Sequence, residues 1–226
     1  MKKDDPDELT NEYGVMPFWF WNDRLDAEEI VRQIDDFARH GVGGFVIHPR
    51  IGLPKELGWM SEALLEFYEV AITHAARRDL KVILYDEGMY PSGSSAGQVV
   101  EENPDFAARC LVALDLDASG EPELAADDKE VARLTRQNGR GVVIVDRKAD
   151  SVIRGLHYEG EGPEEISHPA GDILNPDAVS CFIRLVYDRF AERFRQYFGN
   201  TVMAIFTDEP SAIGRPCDRW QRSGSK

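Results

Sequence analysis

The sequence predicts an α/β fold of the TIM-type (β/α)8 barrel class, with about four strands and their helices in 226 residues and a small β-rich insertion after the third strand. Three observations predict it. Short apolar runs alternate with helix-length segments whose apolar residues recur at helical spacing. Each run ends on polar, charged or aromatic side chains instead of a hairpin turn. The connections are short, which suits parallel strands joined by right-handed crossovers, with ligand groups collected at the strands' carboxyl ends.

The first run, Phe18-Trp19-Phe20-Trp21, follows Pro17 and stops at Asn22-Asp23, and four consecutive large apolar residues read as a strand buried on both faces. Asp26, with Glu29 three residues on, makes a capping-box pattern, and Ile30, Ile34, Phe37 and Ala38 give the stripe of a helix that Gly41 stops. Gly43-Gly44-Phe45-Val46-Ile47-His48 is the second strand and rises to Pro49-Arg50. Ser61 caps a second helix with Leu64, Leu65, Tyr68, Ile72 and Ala75 on one face, and Lys81 to Tyr85 follows as the third strand, ending on Asp86-Glu87. Asn175 and Pro176 open a third long helix with Val179, Phe182, Ile183, Val186 and Phe190 on its buried side. Val202 to Phe206 is then the fourth strand, and it ends on Thr207-Asp208-Glu209-Pro210.

Between the third strand and the third long helix the pattern changes. A short helix begins at Asn103-Pro104, and Leu111 to Leu116, Gly141 to Val145 and Ser151 to Tyr158 read as strands separated by acidic and glycine-rich turns. The organisation expected is a lead-in over 1–16, barrel over 17–110, the β-rich insertion over 111–168, barrel again over 169–214 and a polar tail over 215–226. Four strands are half of an eight-stranded barrel, so the chain reads as the amino-terminal half of one, truncated, with open edges prone to self-association.

A net charge of -15, from 26 Lys+Arg against 41 Asp+Glu, disfavours nucleic acid and anionic membrane surfaces as partners. Cys110, Cys181 and Cys217 lie far apart, without zinc-knuckle spacing or an even count, which fits a reducing compartment. No signal peptide or membrane span is visible, so a cytoplasmic location is expected.

Together the strand ends offer Trp19, Trp21 and Asn22, then His48 and Arg50, then Tyr85, Asp86 and Glu87, then Asp208 and Glu209. Glu209 is the first candidate for an acid or base, because Pro210 ends the strand and leaves that carboxyl at the rim of any pocket. Aromatic rings cover the C–H faces of a pyranose, Asn, His and Arg bind hydroxyls, and a protonated carboxylic acid can protonate a leaving oxygen, so the combination points to a carbohydrate. Two other readings use the same residues. One is a non-catalytic carbohydrate-binding protein or pseudoenzyme. The other is a metal-dependent barrel hydrolase with His48, Asp86, Glu87 and Glu209 as ligands, although no His-x-His or His-Glu-x-x-His spacing supports it. Pro91 to Gly97 lacks the spacing of a phosphate loop and reads as a flexible rim.

The segments Pro17 to Asn22, Gly44 to Leu53, Tyr85 to Gly93 and Phe206 to Pro210 resemble the α-L-rhamnosidase-type glycoside hydrolases of family 106 and their relatives. The resemblance implies a (β/α)8 catalytic domain that hydrolyses a terminal glycoside, such as α-L-rhamnose, with inversion. It needs no cofactor, though calcium is often near the site. By matching motif it implies Glu209 as general acid with Asp208 orienting it or helping to keep it protonated. His48 and Arg50 would contact sugar hydroxyls or a substrate carboxylate, and Asp86 and Glu87 would bind hydroxyls or calcium. Inversion also needs a second carboxylate about 6.5–9.5 Å from the acid. The resemblance places that group on a later strand, outside this chain.

Overall fold

The structure is a computed structural model, and it describes residues 14–116, 120–135, 141–155, 158–159, 168–212 and 215–216. In chain order the first half runs β1 (Phe18–Trp21), α1 (Ala27–Arg39), β2 (Gly44–Pro49), α2 (Glu62–Arg77), β3 (Lys81–Tyr85), β4 (Met89–Tyr90) and α3 (Gln98–Glu102). There follow β5 (Arg109–Asp115), β6 (Lys129–Thr135), β7 (Gly141–Lys148), β8 (Ser151–Val152) and β9 (Arg154–Gly155). The chain then returns through α4 (Pro176–Phe182), a π-helical stretch (Ile183–Asp188), α5 (Arg189–Phe194), β10 (Val202–Phe206) and β11 (Arg215–Pro216).

Strands β1, β2, β3 and β10 form one parallel sheet in that order, a partial (β/α) barrel. Residues in register share a face, so Phe18, Val46, Ile83 and Ala204 form one inner row. Phe20, His48, Tyr85 and Phe206 form the next row, toward the carboxyl ends. The sheet is strongly curled: Phe18 and Phe206, from its two outermost strands, bring their ring centroids within 5.2 Å. Such curl is what a barrel wall requires. The strand expected to be buried on both faces is buried on one only. Phe18 is 42% and Phe20 50% exposed on the inner face, where His48, Phe206 and Arg50 cover them only in part.

The outer face carries the core. Trp21, Phe45, Ile47, Val82 and Leu84 are buried there against Ile30 and Ile34 of α1 and Leu64, Leu65, Tyr68 and Ile72 of α2. Both helices start as their sequences predict, Asp26 accepting the Glu29 N–H at 2.9 Å and Ser61 the Leu64 N–H at 3.2 Å. The capping box is not reciprocal, since the Glu29 carboxylate bonds forward to Arg32 and Gln33. Glycine is required at 44: a Cβ there would lie 2.3 Å from the Lys81 carbonyl oxygen of the neighbouring strand. The Tyr68 hydroxyl is buried with no hydrogen-bond partner among the described residues. Tyr68→Phe should therefore leave stability unchanged or raise it by about 1 kcal/mol in urea unfolding, since it removes an unsatisfied buried group and keeps the ring.

The third long helix shows why spacing matters. Ala178, Phe182, Val186, Phe190 and Phe194 are all buried and recur every fourth residue. In a regular helix that stripe would wander by roughly 40° per repeat. The π-helical stretch, with its wider turn, absorbs the excess and keeps the stripe on the sheet. It also turns Ile183 out to 44% exposure, where a regular helix would have buried it as predicted.

The insertion is a three-stranded antiparallel sheet of order β5-β7-β6. The β6 strand was not legible, because almost every side chain on it is exposed and no apolar face marks it. The predicted third strand, 151–158, is two short pieces serving another purpose: β8 pairs with β11, and β9 pairs with β4. The root of the insertion is thus stitched to the segment after β3 and to the segment after β10. Asn103 opens a 3-10 turn, its side chain accepting the Asp105 N–H, while the short α-helix precedes it. Among the described residues no helix is long and apolar enough to cross a membrane.

Candidate active site

Two fully buried carboxylates follow β3, and each organises a different part of the strand-end region. Asp86 accepts three hydroxyl donors from three elements: Ser92 at 2.6 Å, Tyr187 of the π-helical stretch at 2.7 Å and Thr207 after β10 at 2.7 Å. Burial pushes the Tyr187 phenol up to about 12, so it stays a donor. Ser92 in turn fixes the next strand end. Its Oγ accepts the Asp208 N–H at 2.9 Å, and its N–H donates to the Asp208 carbonyl at 3.0 Å. Asp86 therefore sets the backbone of Asp208 through one intermediary.

Glu87 is enclosed by backbone. Its Oε1 accepts the N–H groups of Gly88, Met89 and Ala96, and its Oε2 those of Gly93, Ser94 and Ser95. Positive φ values at Gly93, Ser95, Ala96 and Gly97 turn these N–H groups inward, which makes the loop a nest around an internal anion. Burial raises the Glu87 carboxyl to about 7 while the N–H donors pull the other way. The donors leave no acceptor for a carboxyl proton. The segment expected to be a flexible rim is instead a loop fixed from within.

Asp208 and Glu209 stand at the end of β10. The Tyr85 phenol, held protonated by burial and by this contact, donates to Asp208 Oδ2 at 2.8 Å. Tyr90 donates to Glu209 Oε2 in a short hydrogen bond. Glu209 is exposed and has a φ of 41° directly before a proline, a left-handed conformation costly for a side-chain-bearing residue. Strain of this kind collects at functional sites, and it gives a prediction. Glu209→Gly should raise thermal stability by about 1 kcal/mol, since glycine adopts that φ freely, while removing the carboxyl.

The floor beside these carboxylates is aromatic. His48 stacks on Tyr85 with centroids 3.9 Å apart and takes edge contacts from Phe18 and Phe20. Burial lowers the His48 pKa, so the ring is neutral at neutral pH. Its Nδ1 lies 3.0 Å from the Pro49 carbonyl, which can only accept, so Nδ1 carries the proton and Nε2 is an acceptor. The Arg50 guanidinium is 5.6 Å from the Phe20 ring centroid, on the same face.

The structure thus brings His48, Arg50, Tyr85, Asp208 and Glu209 together and separates the others. Trp19 and Trp21 point to the helices, because odd and even residues of a strand face opposite ways. Trp21 is buried against Tyr68, and Trp19 packs on Phe37 and Phe45 and donates to Gln33. Asn22 is exposed and lines a small cleft with both tryptophans. Asp86 and Glu87, buried and enclosed by donors, are supports beneath the site. Among the described residues no group of three or more His, Cys, Asp or Glu is arranged to hold a metal ion. Sequence reasoning missed Tyr90, Ser92, Tyr187 and Thr207. The signal for the first two was the loop itself, whose three serines between glycines are all buried. A cleft of about 690 Å³ lies elsewhere, between α2 and the third long helix. Its arginines 189 and 193 are ion-paired with Glu62 and Glu69.

No family model, curated protein or solved structure matches the chain. The architecture is a (β/α)-barrel type shared by many hydrolases, and on its own it leaves the reaction open.

Proposed function

We propose that the chain is part of a glycoside hydrolase whose general acid is Glu209, acting on a terminal sugar such as α-L-rhamnose. The observation that carries this reading is the strained, exposed Glu209 with one oxygen engaged by Tyr90, next to Asp208 and an aromatic floor. Oε1 of Glu209 has no partner among the described residues and is the atom that would hold the proton for the leaving oxygen. As that proton departs, charge develops on the carboxylate and the Tyr90 hydrogen bond strengthens, which favours the transition state over the ground state. Phe18 and Phe20 offer exposed faces for the sugar ring, and His48 Nε2 and Arg50 would bind its hydroxyls.

In this reading the base that activates water is supplied by further strands, since among the described strand-end carboxylates Asp86 and Glu87 are enclosed by donors and Asp208 adjoins the acid itself. Strands that continue the sheet at the free edges of β1 and β10, from a longer polypeptide or a second copy, would supply it. The resemblance to family 106 supports the same assignment. The test is turnover of a panel of aryl glycosides, α-L-rhamnoside included, with native mass recorded on the same samples. Hydrolysis with inversion at the anomeric carbon supports the reading. Saturable sugar binding with no hydrolysis in any assembly would favour a carbohydrate-binding protein instead.

A further inference from the structure

A strained residue keeps its conformation only where its surroundings impose it. Glu209 has a φ of 41° and precedes Pro210, and a residue in that place relaxes to extended backbone when nothing holds it. Its own contact, the Tyr90 hydroxyl on Oε2, acts at the far end of the side chain and does not fix φ. The restraint has to act on the peptide group that enters Glu209, which is the one carrying the Asp208 carbonyl.

Ser92 holds that peptide. Its N–H donates to the Asp208 carbonyl at 3.0 Å and its Oγ accepts the Asp208 N–H at 2.9 Å, so it grips the peptide groups on both sides of the Asp208 Cα. The Tyr85 phenol takes the Asp208 side chain instead. Ser92 is buried and cannot follow a moving strand end, because its hydroxyl donates to the fully buried Asp86 carboxylate at 2.6 Å. One residue before Asp208, the Thr207 hydroxyl donates to the same carboxylate at 2.7 Å. With both peptide groups of Asp208 fixed, the turn out of β10 falls on rotation about the N–Cα bond of Glu209.

We propose that Ser92 is a positioning residue for Glu209: its two bonds to Asp208 impose the left-handed backbone that aims the Glu209 carboxyl at Tyr90. Ser92 acts through Asp208 and not on the sugar. The inference rests on reading Glu209 as the acid and adds the residue that sets its direction. Ser92→Ala keeps the N–H but removes the hydroxyl that ties residue 92 to Asp86 and accepts the Asp208 N–H.

Urea unfolding of a double-mutant cycle reads the coupling, and affinity labelling reads its effect on the carboxyl. Glu209→Gly should raise the unfolding midpoint of the otherwise wild-type chain, and raise that of Ser92→Ala by less than about half as much, since there Glu209 has already relaxed. An N-bromoacetyl glycosylamine should label Glu209 roughly tenfold more slowly at saturation in Ser92→Ala, with the half-saturating concentration unchanged. A general loss of structure would move both. Ser92→Cys fills the same space and weakens both side-chain bonds, so it should fall between wild type and Ser92→Ala, and it decides the matter if Ser92→Ala does not fold. Equal midpoint gains in the two backgrounds would overturn the proposal, as would equal saturating rates. A diminished gain with no label on Glu209 in the wild type would overturn the acid reading, and the positioning role with it.

Discussion

Replacing Glu87 by glutamine is expected to lower the free energy of unfolding by roughly 3–5 kcal/mol, although the two side chains are nearly isosteric. The reason is the donor count. Six backbone N–H groups converge on two carboxylate oxygens with no water access. Glutamine keeps one acceptor oxygen and places an NH2 group against the other three N–H groups, so donors face donors and buried N–H groups go unsatisfied. The loop that would open also carries Tyr90 and Ser92, so the Tyr90 contact to Glu209 and the Ser92 bonds to Asp208 should loosen with it. Urea unfolding measures the loss. A cost under about 1 kcal/mol would mean that the nest tolerates a neutral group and is not the anchor of the strand-end region.

The second large effect is on chemistry. In an assembly that turns over, Glu209→Gln should lower hydrolysis by roughly 10²–10⁴-fold for glycosides with poor leaving groups. The loss should be much smaller for a dinitrophenyl glycoside, whose leaving oxygen departs without a proton. That dependence on the leaving group is the signature of a missing acid, since a purely structural defect would slow both substrates alike. An equal loss for both would reassign Glu209 to positioning.

The fold was legible where periodicity is strong. The β1–β3 and β10 runs, the caps at Asp26, Ser61 and Asn175 and the apolar stripe of α2 follow from residue type and spacing alone. Strand ends could be located for the same reason, which is why His48, Arg50, Tyr85, Asp208 and Glu209 could be named. What a strand's sequence does not reveal is which of its faces meets the helices. Trp19 and Trp21 are as suited to stacking on a sugar as Phe18 and Phe20 are, and only the register with β2 separates them. Nor does an Asp-Glu pair declare its partners. The hydroxyls that hold Asp86 come from residues 92, 187 and 207, and the π-helical stretch that delivers Tyr187 follows from a four-residue spacing that reads at first as an ordinary helix.

Glu209 should lie where a glycosidic oxygen would leave, and affinity labelling tests that most directly, without requiring turnover. An N-bromoacetyl glycosylamine places its reactive carbon at the leaving-group position and alkylates a carboxylate found there. Peptide mapping by mass spectrometry should find the label on Glu209, suppressed by excess free sugar and absent in Glu209→Gln. Label scattered over surface carboxylates, unaffected by sugar and sparing Glu209, would contradict the assignment.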